Sequence, residues 1–468
     1  MHSRFSQERE KAERHGQDHI FKFWHELNDE QKEQILKHSE KIDYGFINKL
    51  YADCIKEKKI EKFSKLESPD VIYKYPHTKE NETAKKIGED AIKRNELAIF
   101  LVAGGQGSRL GYDGPKGCYP GTELTKKPLF RIFSERIKAA ENKYEVVFDW
   151  FIMTSEENNK TTEKFFEENN YFKLNKDQIH FFIQGSLPSV SKEGKILMKS
   201  KHEIFFNPDG TGGIYYALHK SGMLEIMKNK GIKYLSYVQI DNPLSQVVDP
   251  TYLGIHILTQ SELTPKVIPK RHAHESVGLV VKVDGKQQII EYYLLSKEDA
   301  EKRDEKGELA FRCGNTAKFM MSVDFINKVR ENKLIHFKGA LKKITHIDED
   351  GNLLLPDKPN GYKFESFSFD PMPYVKSVAF EVKREEEFAP IKNAEGEDSP
   401  EVSYEMQNYL YKDWLRHAKI PQEINDSVKI VEVSPLFAND KEEFALRIEK
   451  NRKKYEEELE KSENYYFE

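Results

Sequence analysis

Arg109 and Lys116 are the cations best set to do chemistry in this 468-residue chain, because glycines crowd around both. Gly104, Gly105 and Gly107 precede Arg109, and Lys116 lies between Pro115 and Gly117. Glycine has no Cβ and tolerates positive φ, so such a loop can turn its N–H groups onto an anion. The apolar run just upstream, Leu97–Val102, reads as a buried strand. A strand feeding a glycine-rich turn that carries Arg and Lys suits a nucleoside triphosphate. The spacing is not that of the P-loop, in which Lys is followed by Ser or Thr. Nor is it the dinucleotide fingerprint, whose third glycine would fall where Leu110 stands. A glycine-rich surface turn with a basic neighbour is the plainer reading of this loop taken alone.

Three further clusters sit at predicted strand ends, where ligands bind in open α/β sheets. Gln184-Gly185 ends one strand, and an amide offers a donor and an acceptor to a base edge. Asp241-Asn242 ends another, and a carboxylate there can hold Mg²⁺, which takes one or two carboxylates plus phosphate oxygens. Asn207-Pro-Asp-Gly-Thr-Gly-Gly213 is a second glycine-rich turn, opening a helical pattern at Ile214–Ala217. Each also fits a plainer part: a loop amide, a capping Asp, a helix entry. Asp370 reads equally as a second metal ligand or as the turn residue before Pro371. No Ser/His/Asp or Cys/His triad emerges, and His272 and His274 read as loop residues.

The positioning elements divide into three stretches. Residues 1–88 are charged and helical, with Asn28-Asp29 capping a helix that carries Ile35, Leu36 and Ile42. Residues 89–390 alternate strands (Leu97–Val102, Phe148–Met153, Ile179–Gln184, Tyr234–Ile240) with helices such as Leu129–Ala140 and Thr161–Glu168. That alternation predicts βαβ units and a largely parallel sheet. Asp284-Gly285 then marks a hairpin between Val277–Val283 and Gln287–Tyr293. Residues 391–468 open on a linker-like stretch. A helix around Met406–Leu415, a strand around Val428–Val433 and a solvated charged helix over 442–461 follow.

Composition narrows the classes. A chain this long exceeds what one core serves, so two or three domains are expected. Net charge is −5, which argues against a general nucleic-acid or anionic-membrane binder. The three cysteines, Cys54, Cys118 and Cys313, form no C-x-x-C pair, so a disulfide scaffold and a Cys-rich zinc site are excluded. No signal-peptide core and no membrane-length apolar run is present, and a cytoplasmic location is expected.

The ordered motifs together are specific. Gly104-Gly105-Gln-Gly107-Ser-Arg109-Leu-Gly111 with Pro115-Lys116-Gly117 resembles the signature of sugar nucleotidyltransferases. Phe182-Ile-Gln184-Gly, Pro208-Asp-Gly210-x-Gly-Gly213, Val238-x-x-Asp241-Asn242 and Val277-Gly278-x-Val narrow the likeness to the eukaryotic UDP-N-acetylglucosamine pyrophosphorylases. Ile290-Glu291-Tyr292, Gly314-Asn315, Pro356-Asp-Lys-Pro-Asn-Gly361, Phe388-x-Pro390-x-Lys392-Asn393 and Val433-Ser-Pro435 extend it. The resemblance implies an α/β, Rossmann-like (GT-A-like) nucleotidyltransferase core with a mixed sheet, a helical N-terminal flank and a small α+β C-terminal domain.

It further implies that UTP and N-acetylglucosamine 1-phosphate give UDP-N-acetylglucosamine and diphosphate, with Mg²⁺, or Mn²⁺ in its place. Val102, Ala103, Gly104, Gly105, Gln184 and Gly210 would hold uridine. Arg109 and Lys116 would hold the β- and γ-phosphates, Lys392 a phosphate, and Asp241 the metal. Gly278, Glu291 and Asn315 would bind sugar, Phe367 and Phe369 would line its pocket, and Thr211 and Asn242 complete the substrate contacts. Nucleic acid and membrane are not expected partners; a monomer or homodimer is. Thr211 departs from the family's usual Asn in the turn facing the sugar, Ser108 from its usual Thr, and the segment after Pro435 is shorter and more charged than usual. A UDP-glucose, UDP-galactose or broad UDP-sugar pyrophosphorylase is the alternative. A catalytically idle sensor would be expected to lack Arg109, Lys116 or Asp241, and all three are present.

Overall fold

Strands whose residues are apolar without alternation must be covered on both faces. Leu97–Val102 and Trp150–Thr154 are such strands, and both lie buried between neighbouring strands of an 11-stranded mixed sheet. The computed structural model describes residues 1–56 and 65–468. Its sheet strands are β1 (Leu66–Glu67), β2 (Val71–Tyr73), β3 (Leu97–Val102), β4 (Trp150–Thr154), β5 (Ile179–Ile183), β6 (Tyr234–Gln239), β7 (Leu263–Pro269), β8 (Leu279–Val283), β9 (Lys286–Ile290), β10 (Cys313–Ser322) and β11 (Ala379–Glu381). The spatial order is β2-β11-β7-β10-β6-β3-β4-β5, with β8 pairing β1, β9 and β10. β6, β3, β4 and β5 run parallel as predicted, and β10 is antiparallel to both β6 and β7. The hairpin is present as β8–β9, and Asp284 and Gly285 take φ of 51° and 78°, the left-handed pair a two-residue turn requires.

The chain folds as two compact units that interleave along it. The first is Met1–Lys62, Gln184–Ala217 and Lys333–Asp370; the second is Phe63–Ile183, Leu218–Asn332 and Pro371–Glu468. The expected segments 1–88, 89–390 and 391–468 are contiguous and do not follow this division. The reason lies in the first unit's core. Phe5, Trp24, Ile35 and Leu36 pack in one cluster with Val190, Ile196 and Phe364. Gln17 ties the stretches together, donating to Gly194 O at 2.9 Å and accepting from Ile196 N–H at 2.9 Å. The N-terminal helices thus build a core with distant segments rather than flanking one. Asn28 caps Asp29–Glu40 as predicted, in a reciprocal box with Gln31.

The second unit contains the sheet and the C-terminal stretch. Helix α1 (Lys79–Lys93) crosses α2 (Pro250–Leu258) at glycines on both sides. A Cβ on Gly88 would stand 1.9 Å from Pro250 O, and one on Gly254 would stand 1.7 Å from Ala84 O. Gly254→Ala is therefore expected to destabilise the fold by about 1–3 kcal/mol through overpacking. Chemical denaturation checks it, and an unchanged midpoint would contradict the close crossing.

The charged tail is corrected in character. It forms two helices, Lys441–Lys450 and Arg452–Glu460, and one face of them is apolar. Phe444, Ile448 and Leu459 are buried with Leu415, Val431 and Phe467. The chain ends in a strand, Asn464–Phe467, parallel to Ile430–Val433. No helix among the described residues is long and apolar enough to cross a membrane.

Candidate active site

The glycine-rich loop leaves β3 at the centre of the sheet, held from both sides. Ala103 N–H donates to Met153 O at 2.8 Å and Ile240 N–H to Val102 O at 3.1 Å. Asn158, which sequence reasoning missed, donates to Ala103 O at 2.9 Å and caps the Ser155 N–H. Its signal was a Ser-x-x-Asn spacing just after β4. The loop closes on itself when Lys116 N–H donates to Gly105 O at 3.1 Å and Gly107 N–H to Gly114 O at 2.9 Å. The expected use of positive φ falls at Gly111 and Gly114, whereas Gly104, Gly105 and Gly107 do not take it. The last two serve differently. Gly105 leaves its backbone open, with nothing within 4 Å of an added Cβ, while Gly107 accommodates the Tyr112 ring. Gly117 presses on Phe130, where a Cβ would meet ring carbon at 2.1 Å. That contact seats the turn carrying Lys116.

Lys116 Nζ lies 3.8 Å from Asp241 Oδ2, with both side chains largely buried. Burial lowers the Lys116 pKa, and the charges of Lys392 and Arg109 push the same way, while Asp241 opposes them. The sequence-predicted cations Arg109 and Lys392 are therefore close enough to Lys116 for their charges to act on it, within the second unit. Lys392 arrives from far along the chain because Ile391 N–H donates to Asp241 O at 2.8 Å. Its ammonium rests 3.1 Å from Asp398 Oδ2. Such a cluster, one carboxylate short of balance, is built to receive an anion.

Among the described residues no three His, Cys, Asp or Glu side chains form a ready metal cage. An Mg²⁺ held between one carboxylate and substrate phosphates needs none. Asp241 fits that part: its carbonyl is taken by Ile391, and its carboxylate stands beyond hydrogen-bond reach of Lys116. Asp370 accepts the Phe367 N–H at 2.7 Å, closing its own turn in the first unit.

Asn242, expected to touch substrate, is buried, and its amide bonds to the chain. Nδ2 donates to Glu387 O at 2.8 Å, and Oδ1 accepts from Ala389 N–H at 3.1 Å and Leu244 N–H at 3.3 Å. It braces the segment that presents Lys392. Behind it lies a charge cluster that sequence reasoning did not find. Lys266 Nζ contacts Asp249 at 2.9 Å and Glu387 at 2.7 Å; Lys74 sits 3.0 Å from Glu387 and Lys318 3.5 Å from it. Burial and Lys266 drive the Lys318 pKa well below the usual lysine value. Lys74 and Lys266 each contact both Asp249 and Glu387, so the buried carboxylates are paired, the condition a buried network needs. Glu387 is held down to about 2, because Lys266, Lys74 and Lys318 outweigh its burial.

The three residues expected at the sugar converge at one end of β8, β9 and β10. Leu279 pairs with both Ile290 and Gly314, so Gly278, Glu291 and Asn315 lie side by side. Asn315 N–H donates to Gly278 O at 2.8 Å. In the first unit, the 209–213 turn is bound to the 366–370 loop. Ser366 N–H donates to Asp209 O and Gly212 N–H to Ser366 O, each at 2.9 Å. Thr211 Oγ1 accepts from Ser368 N–H at 3.1 Å. Gly210 takes φ 86° against Ser366, where a Cβ would sit 2.2 Å from its carbonyl oxygen. Phe367 and Phe369 are thereby brought beside Thr211, their rings stacked at 5.1 Å and 5°.

Residues 43–453 match the UTP–glucose-1-phosphate uridylyltransferase family. The chain is 37% identical over 429 residues to the UDP-N-acetylglucosamine pyrophosphorylase of Saccharomyces cerevisiae, covering 86% of this chain and 89% of that protein. It is 34% identical over 468 residues to the probable UDP-N-acetylglucosamine pyrophosphorylase of Dictyostelium discoideum, covering 93% and 96% respectively. The solved uridine diphosphate N-acetylglucosamine pyrophosphorylase of Trypanosoma brucei, in complex with inhibitor, superposes with a TM-score of 0.86 at 25% identity, covering 98% of this chain and 97% of that one.

Proposed function

The chain belongs to the UTP–glucose-1-phosphate uridylyltransferase family, and from that premise we propose that it joins UTP to N-acetylglucosamine 1-phosphate. The products are UDP-N-acetylglucosamine and diphosphate. The sugar-phosphate oxygen attacks the α-phosphorus of UTP. Its bond to phosphorus forms as the α–β bridging bond breaks, and diphosphate leaves with the electron pair. The nucleophile is already ionised, so no protein base or covalent intermediate is required. Charge crowding is the barrier, and positioning with fixed cations is how a protein lowers it.

Arg109 and Lys116 take the β- and γ-phosphates in this reading, and Lys392 a further phosphate. The observation that carries it is the grouping of Arg109 and Lys392 about Lys116, whose Nζ lies 3.8 Å from the Asp241 carboxylate. Mg²⁺, or Mn²⁺ in its place, would be held by Asp241 and phosphate oxygens, and would neutralise charge on the triphosphate. Val102–Gly105, Gln184 and Gly210 serve uridine. Gly278, Glu291 and Asn315 serve the sugar hydroxyls, and Phe367 and Phe369 offer apolar faces to it. Asn242 acts as a brace. The reading includes a cytosolic location, supported by three free cysteines.

The test is diphosphate release from UTP with N-acetylglucosamine 1-phosphate against glucose 1-phosphate, with and without Mg²⁺. Release is expected to need the ion and to favour the acetylated sugar by roughly tenfold or more. Faster release with glucose 1-phosphate would favour the UDP-glucose alternative.

A further inference from the structure

Gln184 has a chemically forced orientation. Its Nε2 donates to Asp209 Oδ1 at 3.2 Å and to Gly210 O at 2.6 Å. An ionised carboxylate and a peptide carbonyl are acceptors only. Turning the amide over would set Oε1 against both oxygens. The amide therefore keeps Oε1, an acceptor, as the group it can offer to a ligand.

The surroundings are shaped to hold Asp209 in place. Asp209 is 9% exposed, and its N–H donates to Gly185 O at 3.0 Å. Gly185 and Gly213 make room for its carboxylate: a Cβ on the first would stand 2.2 Å from Oδ2, and one on the second 2.1 Å from Oδ1. These contacts explain two motif glycines that a phosphate role alone does not. Burial raises the Asp209 pKa to about 6, against the opposing Gln184 hydrogen bond, so the group is ionised at neutral pH. An ionised acceptor strengthens the hydrogen bond that orients the amide.

We propose that Asp209 is a positioning residue that locks the Gln184 amide and thereby makes the site select uracil over cytosine. Uracil offers an N–H at ring position 3, which Oε1 accepts. Cytosine offers a lone pair there, which faces Oε1 as a second acceptor. A site built to pair one polar group rejects the analogue that leaves it unpaired. The inference deepens the uridylyltransferase reading and rests on it.

The experiment compares kcat/KM for UTP and CTP, at saturating N-acetylglucosamine 1-phosphate and Mg²⁺. For the unaltered protein, UTP is expected to be preferred by roughly 10²-fold or more. Turnover of UTP with CTP within about threefold of it would overturn the lock and leave the function reading standing. No turnover of UTP with any sugar phosphate would overturn that reading, and this inference with it. Asp209→Asn removes the charged acceptor and supplies a side chain that can itself donate to Oε1, so Gly210 O alone is left to oppose a turned Gln184 amide. The UTP:CTP ratio should fall at least about tenfold, while KM for the sugar phosphate stays within roughly twofold. Equal loss for both nucleotides means Asp209 is merely structural and overturns the proposal. Should that variant not fold, Asp209→Ser is read by the same ratio, and the ratio of the unaltered protein decides independently.

Discussion

Lys116→Ala should lower turnover by roughly 10²-fold or more, the usual cost of one lost charge stabiliser at a reacting centre. The Lys116 backbone is tied into its loop. Its backbone N–H closes the loop onto Gly105 O at 3.1 Å, and the turn is seated by Gly117 on Phe130. Its ammonium is largely buried beside Asp241, and burial with Lys392 and Arg109 lowers its pKa. A triphosphate entering this cluster supplies the missing negative charge and opposes the lowering of the Lys116 pKa. Negative charge then grows on the leaving diphosphate, so the ammonium is worth more in the transition state than in the ground state. The loss should fall mainly on kcat. Arg109 and Lys392 remain to hold the triphosphate, so KM for UTP should change less. Lys116→Arg should not restore full activity, because a planar guanidinium carries its charge and donors in a different geometry from a compact ammonium. Steady-state kinetics, with a melting curve to show the fold intact, check this. Near-normal turnover would remove Lys116 from the charge set.

Asp241→Asn should cost roughly 10²-fold as well. The substitution is isosteric and leaves the backbone carbonyl that accepts Ile391 N–H at 2.8 Å, so Lys392 stays where it is. What disappears is the negative charge. Two consequences follow from that single change. The cations lose the carboxylate that balances them, and a divalent ion loses a protein oxygen anion. They separate experimentally. If Asp241 holds the ion, half-maximal activity should shift to a higher Mg²⁺ concentration, and Mg²⁺-dependent UTP binding should weaken in an equilibrium titration. A loss of turnover with unchanged Mg²⁺ dependence would assign Asp241 to balancing Lys116 alone.

Much of the candidate site was legible along the chain because its signals are local. β3 has the bounds its apolar run suggested, Leu97–Val102. The loops after β3, β5 and β6 all fall at carboxyl ends, where a parallel sheet presents its ligands. Asp284-Gly285 specified its hairpin, since few residue pairs accept two left-handed conformations in succession. What the tail would do was less legible. Its charges repeat at helical spacing, but Phe444, Ile448 and Leu459 acquire meaning only once Phe467 returns as a strand to cover them.

The residue types and the order of their loops, then, were determined by the sequence itself: short apolar runs, glycines and cations act through neighbours a few positions away. Tertiary structure alone decided which of them meet. The segment carrying Lys392 is tied to Asp241 through one Ile391 backbone hydrogen bond, Asn242 bonds to Glu387 O, and Glu387 and Lys266 pair in the interior. Asp209 faces Gln184 only because two turns close on each other. Such pairings depend on which distant segments share a core, and a buried charge or amide is tolerated only where the fold supplies its partner. No local pattern records that partner, so the chemistry could be read before the geometry that makes it work.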